Sequence, residues 1–399
     1  MYNCCAIVKG RLTKVELSMS KSHNLWFLTC TICIVILAGT NIISAFCKPS
    51  VTYASTIPPT TTSFIKQKKI VFVSERDGFS VIYVMNDNGS DQYPLEKNNK
   101  ETYVSNPRWS LNGEKVIFSL SYPVMRGLTE IHIANLDGSN NQIVVTEKNT
   151  ASADPDLSPD SKYVAFVSNR DGRFGIYVMN ADGSNQHRLT ELESYNSPDP
   201  KDQTIPHWSP TQNTIAFLSK GDTSSAEIKI ANLDGSGLQT LVHGAITFTW
   251  SPDGQSIAFV SADSSDSGNL CIVNIKSKIQ TCLLNLTNVL GLGVTWSPDG
   301  RHIAFSAPHN NGYDIFVWDV EANRVQKLTD NSTYIDYQVP TNYDATWSPN
   351  SKRLSFVASD DIVAVSARTA KIYAVNTDGS DLTALTATGD MSFSPSWQP

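Results

Sequence analysis

Apolar residues in this chain come mostly in runs of four or five, bounded by polar turns, with no sustained helical spacing. One run recurs as Ile70-Val-Phe-Val73, Val116-Ile-Phe-Ser119, Val164-Ala-Phe-Val167, Ile215-Ala-Phe-Leu218, Ile257-Ala-Phe-Val260, Ile303-Ala-Phe-Ser306 and Leu354-Ser-Phe-Val357. Its phenylalanines (Phe72, Phe118, Phe166, Phe217, Phe259, Phe305 and Phe356) fall 42 to 51 residues apart. Short β-branched and aromatic runs of this kind predict buried strands. A second run comes after it, as in Ile82-Tyr-Val-Met-Asn86, Ile176-Tyr-Val-Met-Asn180 and Ile372-Tyr-Ala-Val-Asn376. Next comes, in five copies, an Asn-x-Asp/Asn-Gly-Ser turn whose glycine supplies the positive φ of a tight hairpin. A third short strand then often ends in Leu-Thr, as at Leu189-Thr190 and Leu385-Thr386. Trp-Ser-Pro precedes most tetrads, for example Trp208-Ser-Pro210 and Trp347-Ser-Pro349, and the residues before it supply a fourth strand.

No copy can bury both of its faces alone, so neighbours must stack, and radial stacking closes a ring. The expected fold is all-β, a seven-bladed β-propeller of four-stranded antiparallel blades. The first copy lacks a Trp-Ser-Pro strand, while Ser392-Phe-Ser-Pro-Ser-Trp397 stands alone after the last copy. That C-terminal strand is expected to complete the first blade and remove an open edge. The unit Trp-Ser-Pro-Asp-Gly-x-x-Ile-Ala-Phe…Ile-Tyr-x-x-Asn-x-Asp-Gly-Ser…Leu-Thr resembles the WD40-like (PD40) repeat of TolB-type propellers, over about Phe64 to Pro399. The TolB pattern is similar to a six-bladed propeller behind a small α/β domain; here seven copies stand behind a different N-terminal region. The resemblance implies an envelope protein that docks partners.

That N-terminal region carries no charge from Asn24 to Cys47. Leu25 to Ala45 has about the 20 residues needed to cross a hydrocarbon core. Lys9, Arg11, Lys14 and Lys21 precede it against Glu16 alone, a bias that directs the chain beyond Lys48 outward. The expected organisation is a basic cytoplasmic stretch (1–24), a transmembrane anchor or signal helix (25–47), a Thr/Pro-rich linker (48–63) and the propeller (64–399). Met19 offers a second start, and Ile43-Ser-Ala45 or Thr52-Tyr-Ala54 a cleavage site. The protein is thus expected to be single-pass, with its propeller on the periplasmic or extracellular side, or secreted after cleavage.

The net charge of −7 gives no footprint for nucleic acid. Five of the seven cysteines lie in the first 47 residues; Cys271 and Cys282 flank a predicted hairpin, within reach of a disulfide if the place is oxidising. The seven histidines show no metal-binding spacing, and neither a metal nor a cofactor is expected. Asp87-Asn-Gly-Ser-Asp91 has oxygen ligands suited to calcium, yet a hairpin accounts for it fully. Gly78-Phe-Ser80 and Gly254-Gln-Ser256 match only half of a hydrolase nucleophile elbow. No catalytic residue is expected.

Candidate contacts remain in two places. One residue before the Trp position stand Arg108, Asp156 and His207; three before it stand Asn106, Asp154 and Asp344. With apolar residues between them, period-two alternation turns these six toward a wet central channel. The connections Glu191–Ile205 and Asp330–Asp344 are long and carry Tyr195, Tyr334, Tyr337 and Tyr343, suited to protein or glycan contact. The expected function is non-catalytic recognition of an envelope protein partner on this loop face or in the channel. A glycan-acting enzyme and a small-ligand sensor using the funnel are the alternatives.

Overall fold

The computed structural model describes residues 68–95, 102–122, 129–139, 141–146, 150–191, 205–220, 226–261, 267–283, 289–290, 293–309, 312–330, 341–359 and 370–399, with four short strands in the first 27 residues. Every tetrad forms the second strand of a repeat, and its phenylalanine is at most 1% exposed. Because both faces of these strands are covered, they are continuously apolar where a one-sided sheet would alternate.

Strands succeed one another antiparallel from an innermost to an outer position. Tyr103–Trp109, Lys115–Ser121, Thr129–Asn135 and Gln142–Val145 form one four-stranded sheet. Ser152–Leu157, Tyr163–Ser168, Gly175–Asn180 and His187–Glu191 form the next. Two pairs of repeats then run together. The long strand Gln239–Trp250 closes one repeat with its first half and opens another with its second, giving a seven-stranded sheet. An eight-stranded sheet spans Thr295–Trp296 to Thr383–Ala384, joined midway by one parallel pair, Tyr313–Thr341. The remaining four-stranded sheet is made from both ends of this region: Ser392–Trp397, Lys69–Ser74, Val81–Asn86 and Tyr93–Pro94. The C-terminal strand therefore completes the first repeat.

The hydrophobic clusters lie between neighbouring repeats. One joins Val71, Val73 and Ile82 to Trp109, Phe118 and Leu120 of the next repeat. Another joins Ile372, Ala374 and Leu385 of the last repeat to Ile70, Phe72 and Met85 of the first. The Trp-Ser-Pro indoles add a polar strap. Trp109 Nε1 donates to the Ser396 carbonyl (2.9 Å), Trp250 Nε1 to that of His207 (3.0 Å), and Trp347 Nε1 to that of Thr295 (3.1 Å). Each acceptor is the residue just before the Trp position of the preceding repeat. The turn glycines set the spacing too: a Cβ on Gly138 (φ +73°) would lie 2.0 Å from the Leu95 carbonyl oxygen, and one on Gly183 (φ +84°) 2.6 Å from that of Val144.

Residues 1–64 form a separate unit. Cys4–Val8 pairs with Arg11–Val15, and Ser20–Ser22 with Leu25–Phe27. The helix expected from Leu25 is not found at its start, where Leu25–Phe27 is a strand; Leu28 to Cys47 and the linker lie outside the described residues. Among the described residues no helix is long and apolar enough to cross a membrane.

Cys271 and Cys282 sit directly opposite on paired strands and are bonded. The turn between them is longer than a two-residue loop: Asn274 and Ile279 close it, with Lys278 at φ +59°. By loop-closure entropy, Cys282→Ser is expected to lower unfolding stability by about 2–3 kcal/mol. Thiol titration of the denatured chain should show a reductant-dependent increment that this variant loses; no such increment in the wild type would contradict the bond.

Candidate functional site

The innermost strands are not straight. Pairing with the second strand slips between Ser105 and Arg108, Ala153 and Asp156, Tyr343 and Thr346, and Phe393 and Ser396. At each slip one residue is left-handed: Asn106 (φ +52°), Asp154 (+52°), Asp344 (+55°) and Ser394 (+51°). Gly293 (+78°) holds the same sequence position. Asn, Asp and Gly are the residues that tolerate this conformation, and a bulge re-aims the side chains beside it. The plain alternation expected from the sequence is therefore corrected. Asn106, Asp154 and Asp344 have a backbone reason to be what they are, independent of any ligand.

The bulges nonetheless bring the six predicted residues into one constellation around Arg108. Its Nη1 lies 3.1 Å from His207 Nδ1 and 3.8 Å from Asp156 Oδ1. Asp156 Oδ2 also accepts the Trp208 amide at 2.8 Å, so this carboxylate ties three repeats together. Asn106 Nδ2 donates to Asp154 Oδ1, and Asp344 accepts from the backbone and hydroxyl of Ser394. The His207 ring stands edge-on to Phe248, with centroids 5.2 Å apart.

Three carboxylates thus share one guanidinium. Water reaches the group, since the Arg108 side chain keeps 29% of its exposure, but protein surrounds each acid deeply enough to weaken its solvation. Burial raises the pKa of Asp154 and Asp156, opposed by Arg108. Burial likewise lifts Asp344 to about 6, against Arg108 and the Ser394 hydrogen bonds. Burial, then the Arg108 charge, holds His207 well below its usual range. A neutral imidazole is consistent with Nδ1 accepting from the guanidinium. Such a site can offer a fixed cation, a neutral imidazole N–H donor and a carboxyl that changes charge near pH 6.

Of the loop tyrosines, Tyr195, Tyr334 and Tyr337 lie outside the described residues. Tyr343 is half-buried, and burial, then the Asp344 charge, pushes its hydroxyl up to about 12. It belongs to the wall beside Asp344. Two arginines are additions to the expected set: Arg76 covers Tyr83 (4.4 Å) and Arg170 covers Tyr177 (4.9 Å), each one residue before an Asp that accepts the tyrosine hydroxyl. The Arg-Asp-Gly sequence shared by these two hairpins is the signal that could have found them. Nothing in the residue spacing indicates that His309, Asp314 and Asp330 come together, with ligand atoms all within 4.8 Å of one another. The Asp-Gly-Ser turns behave as hairpins: Asp137 Oδ1 accepts the Ser139 amide at 2.9 Å, and Gly89 has φ +83°.

Four-stranded antiparallel sheets packed face to face, closed by a terminal strand and lined by polar groups on their innermost strands, define a β-propeller. The family model described as TolB beta propeller domain matches residues 95–247 and 215–399, and the chain belongs to that family. The Tol-Pal system protein TolB of Francisella tularensis subsp. mediasiatica is 30% identical over 115 residues, 29% of this chain and 25% of that protein. The chain thus matches about a quarter of the length of this curated relative. Among solved structures, TolB from Acinetobacter baumannii is 18% identical with a TM-score of 0.51, covering 80% of this chain and 79% of that one. Oligogalacturonate lyase from Vibrio parahaemolyticus is 16% identical with a TM-score of 0.54, covering 77% and 86%. These two likenesses speak to the fold.

Between about pH 4 and pH 6 the folded Asp344 holds a proton that the unfolded residue, near 3.8, has released. Stability linked to this group therefore falls as pH rises through that window. Asp344→Asn keeps a residue that accepts φ +55° and removes the titration. Its melting temperature relative to wild type should rise from pH 4 to pH 7; a constant difference would contradict the raised pKa.

Proposed function

We propose that this protein is a non-catalytic recognition module of the cell envelope, which binds a protein partner through the mouth of its propeller and the adjoining long-loop face. The observation that carries this reading is the constellation around Arg108. Separate repeats contribute its members, and bonds across repeats hold them, so the surface is rigid before a partner arrives. Preorganised polar groups lower the ordering cost of association. Family membership supports the reading, and the Tol-Pal system named for the Francisella relative is an envelope context of this kind. The uncharged segment after Asn24 and the basic residues before it support an anchored or exported chain.

The blade count we infer is seven. The seven-stranded sheet divides into two blades at Gln239–Trp250, and the eight-stranded sheet into two at the Tyr313–Thr341 pair. Each of the seven buried phenylalanines then belongs to its own blade.

A second reading, a glycan-acting enzyme, is favoured by one observation: a carboxyl with pKa about 6 beside further acids is suited to proton transfer near neutrality. The lyase likeness in fold is compatible with it.

In-cell crosslinking and pull-down of the full-length protein distinguishes the two. The recognition reading expects a defined envelope protein to copurify, to weaken at least tenfold with Arg108→Gln, and to be lost when residues 331–340 are deleted. Capture unchanged in both variants would sink it. Turnover of an oligosaccharide, abolished by Asp344→Asn, would establish the enzyme instead.

A further inference from the structure

Three repeats place an acid immediately before the first isoleucine of the third strand: Glu130, Glu227 and Asp314. Each accepts a hydrogen bond from a threonine at the outer strand, Thr146 (2.9 Å), Thr240 (3.3 Å) and Thr329 (2.7 Å) respectively. Each also faces a histidine: His132 at 3.1 Å, His243 at 2.6 Å and His309 at 2.9 Å. In the first two the further neighbour is a protein donor. The Tyr122 hydroxyl donates to Glu130 at 2.9 Å, and Lys229 Nζ lies 3.6 Å from Glu227.

The third case differs in two respects. The Asp314 side chain is wholly buried, 0% exposed, where desolvation makes an isolated carboxylate costly. Its further neighbour is a second acid, Asp330, whose oxygen comes within 4.8 Å of both the Asp314 and the His309 ligand atoms. Lys327 Nζ approaches Asp330 from outside at 3.3 Å. Two carboxylates gathered on one imidazole, one of them buried, form a nitrogen–oxygen donor set of the kind that binds divalent first-row metals.

We propose that His309, Asp314 and Asp330 bind one divalent transition-metal ion, such as Mn²⁺ or Zn²⁺. One imidazole nitrogen and an oxygen from each aspartate are its protein ligands, and water completes the coordination. The imidazole and the count of only three protein ligands separate this site from the all-oxygen cages that calcium prefers. The ion bridges His309 and Asp314 and offsets the second negative charge. It also staples the hairpin between the second and third strands to the end of the outer strand.

The test uses the full chain, stripped with chelator and titrated with MnCl₂ by calorimetry and electron paramagnetic resonance. Manganese avoids competition from the N-terminal cysteines, because thiolates favour softer ions. One saturable site is expected, with a nitrogen coupling in the pulsed spectrum. His309→Gln should remove that coupling, and Asp330→Asn should weaken binding at least tenfold. The Asp330 side chain is largely exposed, so metal-stripped Asp330→Asn should melt with the stripped wild type, whereas His309→Gln, which alters a partner of the buried Asp314, should melt lower. His132→Gln, altering the analogous pair that lacks a second acid, should leave binding unchanged. No saturable binding, equal binding in Asp330→Asn, or a nitrogen coupling that survives His309→Gln would overturn the proposal.

Discussion

A four-stranded sheet that is apolar on both faces cannot exist alone in water, and most of this architecture stems from that constraint. Each sheet needs a cover on either side, and a linear stack would leave two faces bare. A ring leaves none, provided the last sheet meets the first. The cluster joining Ile372 and Leu385 to Phe72 and Met85 is that meeting. The indole of Trp109 reaches the carbonyl of Ser396 at the next interface, between the first and second repeats, so the C-terminal strand takes part in the strap series there. Closure therefore rests on the same kind of apolar packing as the other interfaces, while the Trp397 indole at the junction makes no hydrogen bond among the described residues.

Closure also creates the site. Once the sheets are arranged radially, their innermost strands converge, and whatever those strands carry is concentrated in a small space. The bulges decide what is carried. A left-handed position favours Asn, Asp or Gly for conformational reasons, and Asp154 and Asp344 thus arrive near the axis together. Among the described residues Arg108 is the one cation that acts on Asp154, Asp156 and Asp344, and it cannot neutralise all three. Raised pKa values at Asp154 and Asp344 are the electrostatic residue of a backbone requirement.

The fold was largely legible because repetition amplifies a weak signal: one Ile-Ala-Phe-Val run is ambiguous, whereas seven in phase are not. Ser392–Trp397 was legible as the missing strand because Ile70 lacked a predecessor. The residues around Arg108 were legible as a group, since their spacing from tryptophan was constant. Their geometry was not. Asn106, Asp154, Gly293 and Asp344 share a tolerance for positive φ, which the sequence displayed, but alternation was the simpler pattern and it masked the bulge. Tyr343 looked like an exposed loop residue because its depth depends on Asp344 and the wall beside it. His309, Asp314 and Asp330 stayed hidden for another reason. Their proximity comes from register across a hairpin and an outer strand, which residue spacing alone does not encode.

The pairing of Ser392–Trp397 with Lys69–Ser74 spans a separation of 318 residues between Ser74 and Ser392. A ribosome makes the first partner long before the second. Throughout synthesis, the nascent chain carries Lys69–Ser74 with one edge unpaired, open to pairing with any extended segment nearby. Interior repeats can zip up as they emerge, yet the ring cannot lock until its final residues are released. Protection of the early edge thus falls to whatever attends the growing polypeptide, and a prematurely terminated chain would be recognisable to quality control by that same exposed strand.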